Sequence, residues 1–159
     1  MTTPDYLQFE QPAADSVEVA PLSRASGSFI LDTSSNEYLF IRRDNLPGLP
    51  SPNMIGLVGG FIEADESVEA ACRREIGEEL VVAATGKPFE VDELKPFAQF
   101  ANSAGTRLYI HMTEVASTEG LELGSEGSEI VRLSREAMLR AAAAHEFAGS
   151  YNELILARF

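Results

Sequence analysis

Cysteine occurs once in the 159 residues, at Cys72, so the chain can close no disulfide on itself and its cysteine use does not point to secretion. No apolar run approaches the roughly 20 residues that a membrane helix needs. The start, Met1-Thr2-Thr3-Pro4-Asp5, has neither a basic residue nor an apolar stretch and does not read as a signal peptide. A cytoplasmic protein is the expectation. Basic residues are also scarce, 12 Lys and Arg against 25 Asp and Glu, for a net charge of -13. That field repels polyanions and argues against a nucleic-acid-binding module, which carries a basic face. It does not exclude a small phosphorylated substrate, because divalent cations can reverse the sign locally.

What is present is enough for one globular domain. Hydrophobic residues make up 45% and charged residues 23% of the chain, ordinary values for a soluble fold with a real core. Residues 1–24 read as an extension with a strand near 17–20, and 25–159 as the domain. Residues 28–32 and 37–43 are apolar segments separated by Thr33-Ser34-Ser35-Asn36, a hairpin turn. Three prolines mark 44–53 as a loop, and 55–62 is an apolar, glycine-punctuated strand and turn. A helix is predicted from Ser67 to Leu80, capped by Ser67 or Asp65. A strand could start at 81–84.

Residues 97–102 and 107–115 form a second hairpin around Ser103-Ala104-Gly105. Leu108, Ile110 and Met112 alternate with Arg107, Tyr109, His111 and Thr113, which predicts one buried and one wetter face. Residues 118–128 read as an acidic loop and 129–133 as a strand. Ser134 caps a helix to about Phe147, and a last helix lies near 152–158. Strands around one or two helices, without strict βαβ alternation, give an α+β fold or a compact sandwich.

The predicted 67–80 helix is unusual on a wheel of about 100° per residue. Val68, Cys72, Ile76 and Leu80 form an apolar stripe, and Glu75 and Glu79 fall within the same arc with Glu78 beside it. An amphipathic helix puts its acids on the opposite side. Like charges at these spacings destabilise a bare helix, and partial burial raises the cost. A hard divalent cation removes the conflict, since Mg²⁺ prefers carboxylate oxygens together with water and phosphate. The plain alternative is a solvated acidic face with local pairs to Arg73 and Arg74. The preceding Gly59-Gly60 and the acids Glu63, Asp65 and Glu66 favour the metal, because glycine lets backbone approach a ligand closely.

These residues resemble the Nudix box, G-x5-E-x7-R-E-U-x-E-E-x-G-U with U a bulky apolar residue. Gly60 is followed by Glu66, then by Arg74-Glu75-Ile76-Gly77-Glu78-Glu79 and Val82, and Val81 stands where the pattern has glycine. The likeness extends over about 28–139, including Gly59-Gly60-Phe61-Ile62-Glu63, although Ile55 and Val58 stand where many relatives have tryptophan and proline. The resemblance implies a Nudix-type α/β/α sandwich with a mixed sheet. It implies Glu75, Glu78 and Glu79 as ligands of Mg²⁺ (Mn²⁺ as a substitute), with the Gly59 carbonyl as a further ligand. It further implies that Arg74 orients a helix glutamate and that Glu66 supports the site.

The implied reaction is hydrolysis of a nucleoside diphosphate linked to another group, by water attack on phosphorus. Outside the box, Glu126 is the candidate general base, and Arg42 or Arg43 the candidate phosphate contact. His111 reads as a hydrogen-bonded structural histidine and Cys72 as a small packed hydrophobe. A catalytically silent nucleotide- or metabolite-binding module is the second reading, but such a module would lack one or more helix acids. A Nudix-type isomerase adds histidine and cysteine ligands, for which only His111, His145 and Cys72 are available. A homodimer stays open.

Overall fold

The computed structural model describes residues 23–102 and 104–159, so the strand expected near 17–20 lies outside the described residues. The chain runs through strands β1 (Arg24–Asp32), β2 (Glu37–Arg42), β3 (Ile55–Gly56) and β4 (Val58–Phe61) into helix α1 (Val68–Glu79). It continues through β5 (Leu80–Val82), β6 (Lys87–Pro88), β7 (Lys95–Ala101), β8 (Arg107–Val115), β9 (Leu121–Leu123) and β10 (Glu129–Ser134). Helices α2 (Arg135–Ala143) and α3 (Tyr151–Arg158) follow.

The main sheet has the order β10-β2-β1-β8-β7, with β3 added to β2 and β4 to β1. Strands β1 and β8 run parallel and the other pairs antiparallel, so the sheet is mixed. A small second sheet, β6-β5-β9, carries the end of α1. Strand alternation divides the core between two faces. Ile30, Leu39 and Ile41 pack with Ile76 and Leu80 on the α1 side. Phe29, Phe40 and Ile110 pack with Met138, Leu154 and Ile155 on the side of α2 and α3. Each fully buried side chain of this kind contributes roughly 1.5–3 kcal/mol. The result is the α+β sandwich expected from the sequence.

Asp32 fixes the β1–β2 turn. Its backbone oxygen accepts from Asn36 N at 2.8 Å, and Asn36 takes the left-handed φ of 59° that asparagine tolerates. Its Oδ1 accepts from Ser34 N, Ser34 Oγ and Ser35 N, and its Oδ2 from Thr118 N and Oγ1. Burial pushes this carboxyl up, but the bonds from Ser34, Thr118 and Ser35 outweigh it and hold it well below the usual carboxylate range. Asp32→Ala is therefore expected to cost about 3 kcal/mol at neutral pH. The contribution is complete above the unfolded value of 3.8 and disappears as pH falls toward the folded one. Urea unfolding at pH 7 and pH 3 tests this; an unchanged midpoint at pH 7 would refute it.

Four expectations need correction. The 118–128 segment is not all loop, because Leu121–Leu123 pairs with Leu80–Val82. The helix from Ser134 stops at Ala143 rather than near Phe147. Asn152 accounts for that: its Oδ1 accepts from Phe147 N and its Nδ2 donates to Phe147 O, drawing this residue out of helical register beside Ile55. Segment 55–62 is two short strands rather than one. On β8 the polar face is not uniformly wetter, since His111 and Thr113 are buried, His111 against Cys72 of α1. Cys72 is packed there as expected, and its Sγ also lies 3.3 Å from His111 Nδ1.

Candidate active site

The site begins where β1 changes partner. β4 pairs with residues 25–28 of β1, and β2 with residues 30–32 along the same strand. The Gly59–Gly60 pair lies on β4 opposite Gly27 and Ser26. A Cβ on Gly59 would fall 2.0 Å from the Ser26 carbonyl oxygen, and one on Gly60 within 2.7 Å of the Glu75 carboxylate. The two glycines thus let strand meet strand and helix carboxylate meet backbone. Gly59→Ala forces β1 and β4 apart and is expected to cost roughly 3 kcal/mol. Gly60→Ala meets only the end of a side chain and should cost about 1 kcal/mol. Thermal unfolding of both variants checks the order; equal losses would contradict it.

Helix α1 brings the acids over these glycines. Ser67 is its N-cap, accepting from Ala70 N at 3.1 Å. Ala71, Cys72, Ile76 and Glu79 are its buried residues, so the carboxylate of Glu79 points inward with the apolar stripe. Glu79 Oε2 accepts from Gly59 N at 2.8 Å, and the residue is only 9% exposed. Burial pushes its carboxyl up to about 8, the Gly59 bond opposing and the nearby charges of Glu75 and Glu126 adding to the rise. Burial raises Glu75 in the same direction, partly offset by Arg74.

Arg74 ties the cluster together. Its Nε and Nη2 grip both oxygens of Glu66 at 2.7 and 2.9 Å, and its Nη1 reaches Glu75 at 2.8 Å and Glu78 at 3.2 Å. Nη2 also donates to the Phe61 carbonyl at 3.0 Å. The Arg74 bond holds Glu66 down to about 2. Glu66 is therefore an ionised anchor under the arginine, and Glu75 and Glu79 are the carboxylates with strained charge. Glu78 is half-exposed at the outer edge.

The helix exit explains Val81. Leu80 leaves α1 extended, with φ -126° and ψ 127°, and Val81 pairs with Pro88 and Glu122 in the small sheet. No left-handed residue is needed, and a β-branched one suits the strand. The close approach falls instead on Gly124, whose N donates to Glu79 O at 2.8 Å and whose added Cβ would lie 1.9 Å from Glu78 O. That contact sets the following loop against the end of α1. Its exposed Glu126 comes close enough for its charge to act on both Glu75 and Glu79.

The two arginines at the end of β2, Arg42 in the strand and Arg43 just after it, divide by strand parity. Arg42 pairs with Glu129 of β10 and donates to Asn53 O, and so turns away from the acids. Arg43 donates to Pro50 O at 2.9 Å, and its charge is felt by Glu79. Tyr151 on α3 joins them without any signal in the spacing of the chain. Its hydroxyl lies 3.3 Å from where a Cβ on Gly27 would stand, and its ionisation responds to Arg43 and Glu79. Burial pushes that hydroxyl up to about 12, so it stays protonated at neutral pH.

The donor set fits a hard divalent cation. Two carboxylates are kept against the Gly59–Gly60 backbone with their charge only partly compensated, and they offer hard oxygen donors. Among the described residues no three His, Cys, Asp or Glu side chains form a ready-made cage. That is compatible with Mg²⁺, which retains waters and is completed by substrate phosphate rather than bound in an all-protein cage.

Solved structures resemble this fold. A Deinococcus radiodurans protein superposes with a TM-score of 0.67 at 23% identity, over 90% of this chain and 88% of that one. A MutT protein from Methanosarcina mazei gives 0.64 at 19%, over 89% and 95%. A bifunctional NMN adenylyltransferase/ADP ribose pyrophosphatase from Francisella tularensis, complexed with AMP and manganese, gives 0.60 at 14%, over 86% and 41%. No curated protein sequence matches the chain. Among the described residues no helix is long and apolar enough to cross a membrane. The NUDIX domain model matches residues 21–155, nearly the whole described chain. With the glycine pair, the arginine-bound acids and the sandwich fold in place, the chain belongs to the Nudix hydrolase family.

Proposed function

We propose that this protein is a Mg²⁺-dependent pyrophosphohydrolase that cleaves a nucleoside diphosphate linked to another moiety, with Mn²⁺ as a substitute metal. The observation that carries the reading is the buried Glu79 carboxylate, held by Gly59 N–H beside Glu75 and in no ion pair among the described residues. The name of the Francisella relative, an ADP ribose pyrophosphatase bound to AMP and manganese, supports the same class.

Glu75, Glu78, Glu79 and the Gly59 carbonyl are the groups that would hold the metal. When bound, it would polarise the phosphoryl oxygens and offset the charge that develops in the displacement. The protein's own work is positioning, which together with electrostatics supplies most of the catalysis in phosphoryl transfer. Arg74 fixes the direction of Glu75 and Glu78 and is itself locked by Glu66. Arg43 supplies positive charge for the substrate phosphates, while Arg42 stays with Glu129. Glu126 accepts the proton of the attacking water from the loop set against α1. The substrate is a small molecule, and a polyanionic nucleic acid is disfavoured by the net charge of -13.

The test is a panel of nucleotide sugars, dinucleotides and nucleoside triphosphates, assayed for nucleotide or phosphate release with Mg²⁺, with Mn²⁺ and with EDTA. Metal-dependent release from at least one compound is expected. If nothing is cleaved with either metal while a nucleotide still binds, the protein is a binding module instead.

A further inference from the structure

A groove of about 490 Å³ runs along the outer face of α1, lined by Arg73, Arg74, Gly77 and Glu78 on the helix and by residues 88–91 opposite. It opens directly onto the acid cluster, since Arg74 and Glu78 belong to both. Its size suits a nucleoside-sized group, within the roughly 300–1,000 Å³ of small-molecule sites.

The far wall is fixed. Phe89 N donates to Leu80 O at 2.9 Å, and Val91 is buried in the α1-side core. Arg73 stitches the wall to the helix, donating to the carbonyls of Val91 and Asp92 while pairing with Glu69. Gly77 lets Pro88 come against the helix, where a Cβ would stand 3.0 Å from Pro88 Cβ. The groove is thus formed before any ligand arrives, with Pro88, Phe89 and Val91 as an apolar wall.

Its polar groups select the occupant. Both arginines already direct their N–H groups to protein oxygens, Glu78 is paired with Arg74, and the open polar group at the rim is the exposed carboxylate of Glu90. Carboxylates accept and do not donate. A phosphate is repelled there, and a sugar finds acceptors but little to match its own oxygens. A flat apolar ring bearing an amino group satisfies both features: its face stacks on Phe89 and Pro88, and its amine donates to Glu90.

We propose that this groove receives the amino-bearing nucleobase of the substrate, with Phe89 and Pro88 as its stacking surface and Glu90 as the acceptor of its exocyclic amine. The inference rests on the proposed diphosphate hydrolysis and adds a base preference to it: adenine, guanine or cytosine over uracil.

Calorimetric titration with CMP, UMP and inorganic pyrophosphate in Mg²⁺ tests it, on the parent, Glu90→Ala and Phe89→Leu. CMP and UMP differ at the exocyclic position, where uracil presents an oxygen to the carboxylate. CMP is expected to bind about 10-fold more tightly than UMP to the parent. Glu90→Ala should bring that ratio close to one and leave pyrophosphate binding unchanged. Phe89→Leu should weaken both nucleotides together. Glu90 is exposed, so its loss tests recognition without threatening the fold. A ratio of one in the parent, a ratio that survives Glu90→Ala, or no nucleotide binding at all would overturn the assignment. If diphosphate compounds are cleaved with no base preference, the inference fails and the proposed function stands; if CMP is selected through Glu90 but nothing is cleaved, the reverse holds.

Discussion

Glu79→Gln is expected to lower kcat by about 10³-fold with Mg²⁺ saturating, while the metal-free variant is more stable than the parent at pH 8. Both halves come from one fact: the carboxylate is buried against Gly59 N–H and its carboxyl is raised from the ordinary 4.5 to about 8. The folded protein therefore keeps a proton that the unfolded chain gives up between about pH 4.5 and 8. Over that window the folded state binds more protons, so metal-free stability falls as pH rises and is lowest above the folded value. Glutamine keeps an oxygen to accept the Gly59 bond and removes the charge, and with it this slope. Steady-state rates, together with urea unfolding in EDTA at pH 5 and pH 8, measure both effects. Near-parental turnover would sink the assignment of Glu79, and an identical pH slope in both proteins would show that its burial carries no charge cost. Mg²⁺ should stabilise the parent more than the variant at pH 8, because ligand binding to the folded state adds to its stability.

Much of this site can be read from sequence because helical spacing translates directly into position. The wheel that places Glu75 and Glu79 among apolar residues predicts their inward direction, and both lie against the Gly59–Gly60 backbone. The hairpin at 33–36 and the caps Ser67 and Ser134 are equally local and appear where expected. What the sequence conceals depends on contacts distant in the chain. Whether Arg42 or Arg43 faces the acids follows from the registration of β2 with β10, which sets Glu129 opposite Arg42. His111 and Thr113 look like a wet face in the sequence but are buried, His111 against Cys72 of α1. The early end of α2 depends on Asn152 bonding to Phe147, and the hydroxyl of Tyr151 meets β1 only because α3 packs across the sheet. Val81 departs from the family pattern because a helix that leaves straight into a strand has no use for a left-handed residue.

Arg74→Ala is expected to cost about 2–4 kcal/mol of stability and to reduce kcat by about 10²-fold. One guanidinium holds Glu66 with two parallel bonds and reaches Glu75, Glu78 and the Phe61 carbonyl with its remaining donors. Removing it leaves Glu66 and Glu75, both mostly buried, without the cation they share. The loss stays below that for a fully buried pair because Arg74 keeps about a quarter of its surface in water. Arg74→Lys separates charge from geometry. Lysine restores one positive charge but cannot grip two oxygens of Glu66 and still reach two more acids and a carbonyl. It should therefore recover part of the stability and little of the turnover. If lysine restores turnover fully, the fork is dispensable and charge alone suffices. If alanine loses turnover but not stability, Arg74 acts on the reaction rather than as the cluster's cation. The distinction bears on the whole site, because carboxylates this close stay ordered for a metal only while a cation fixed in direction separates them.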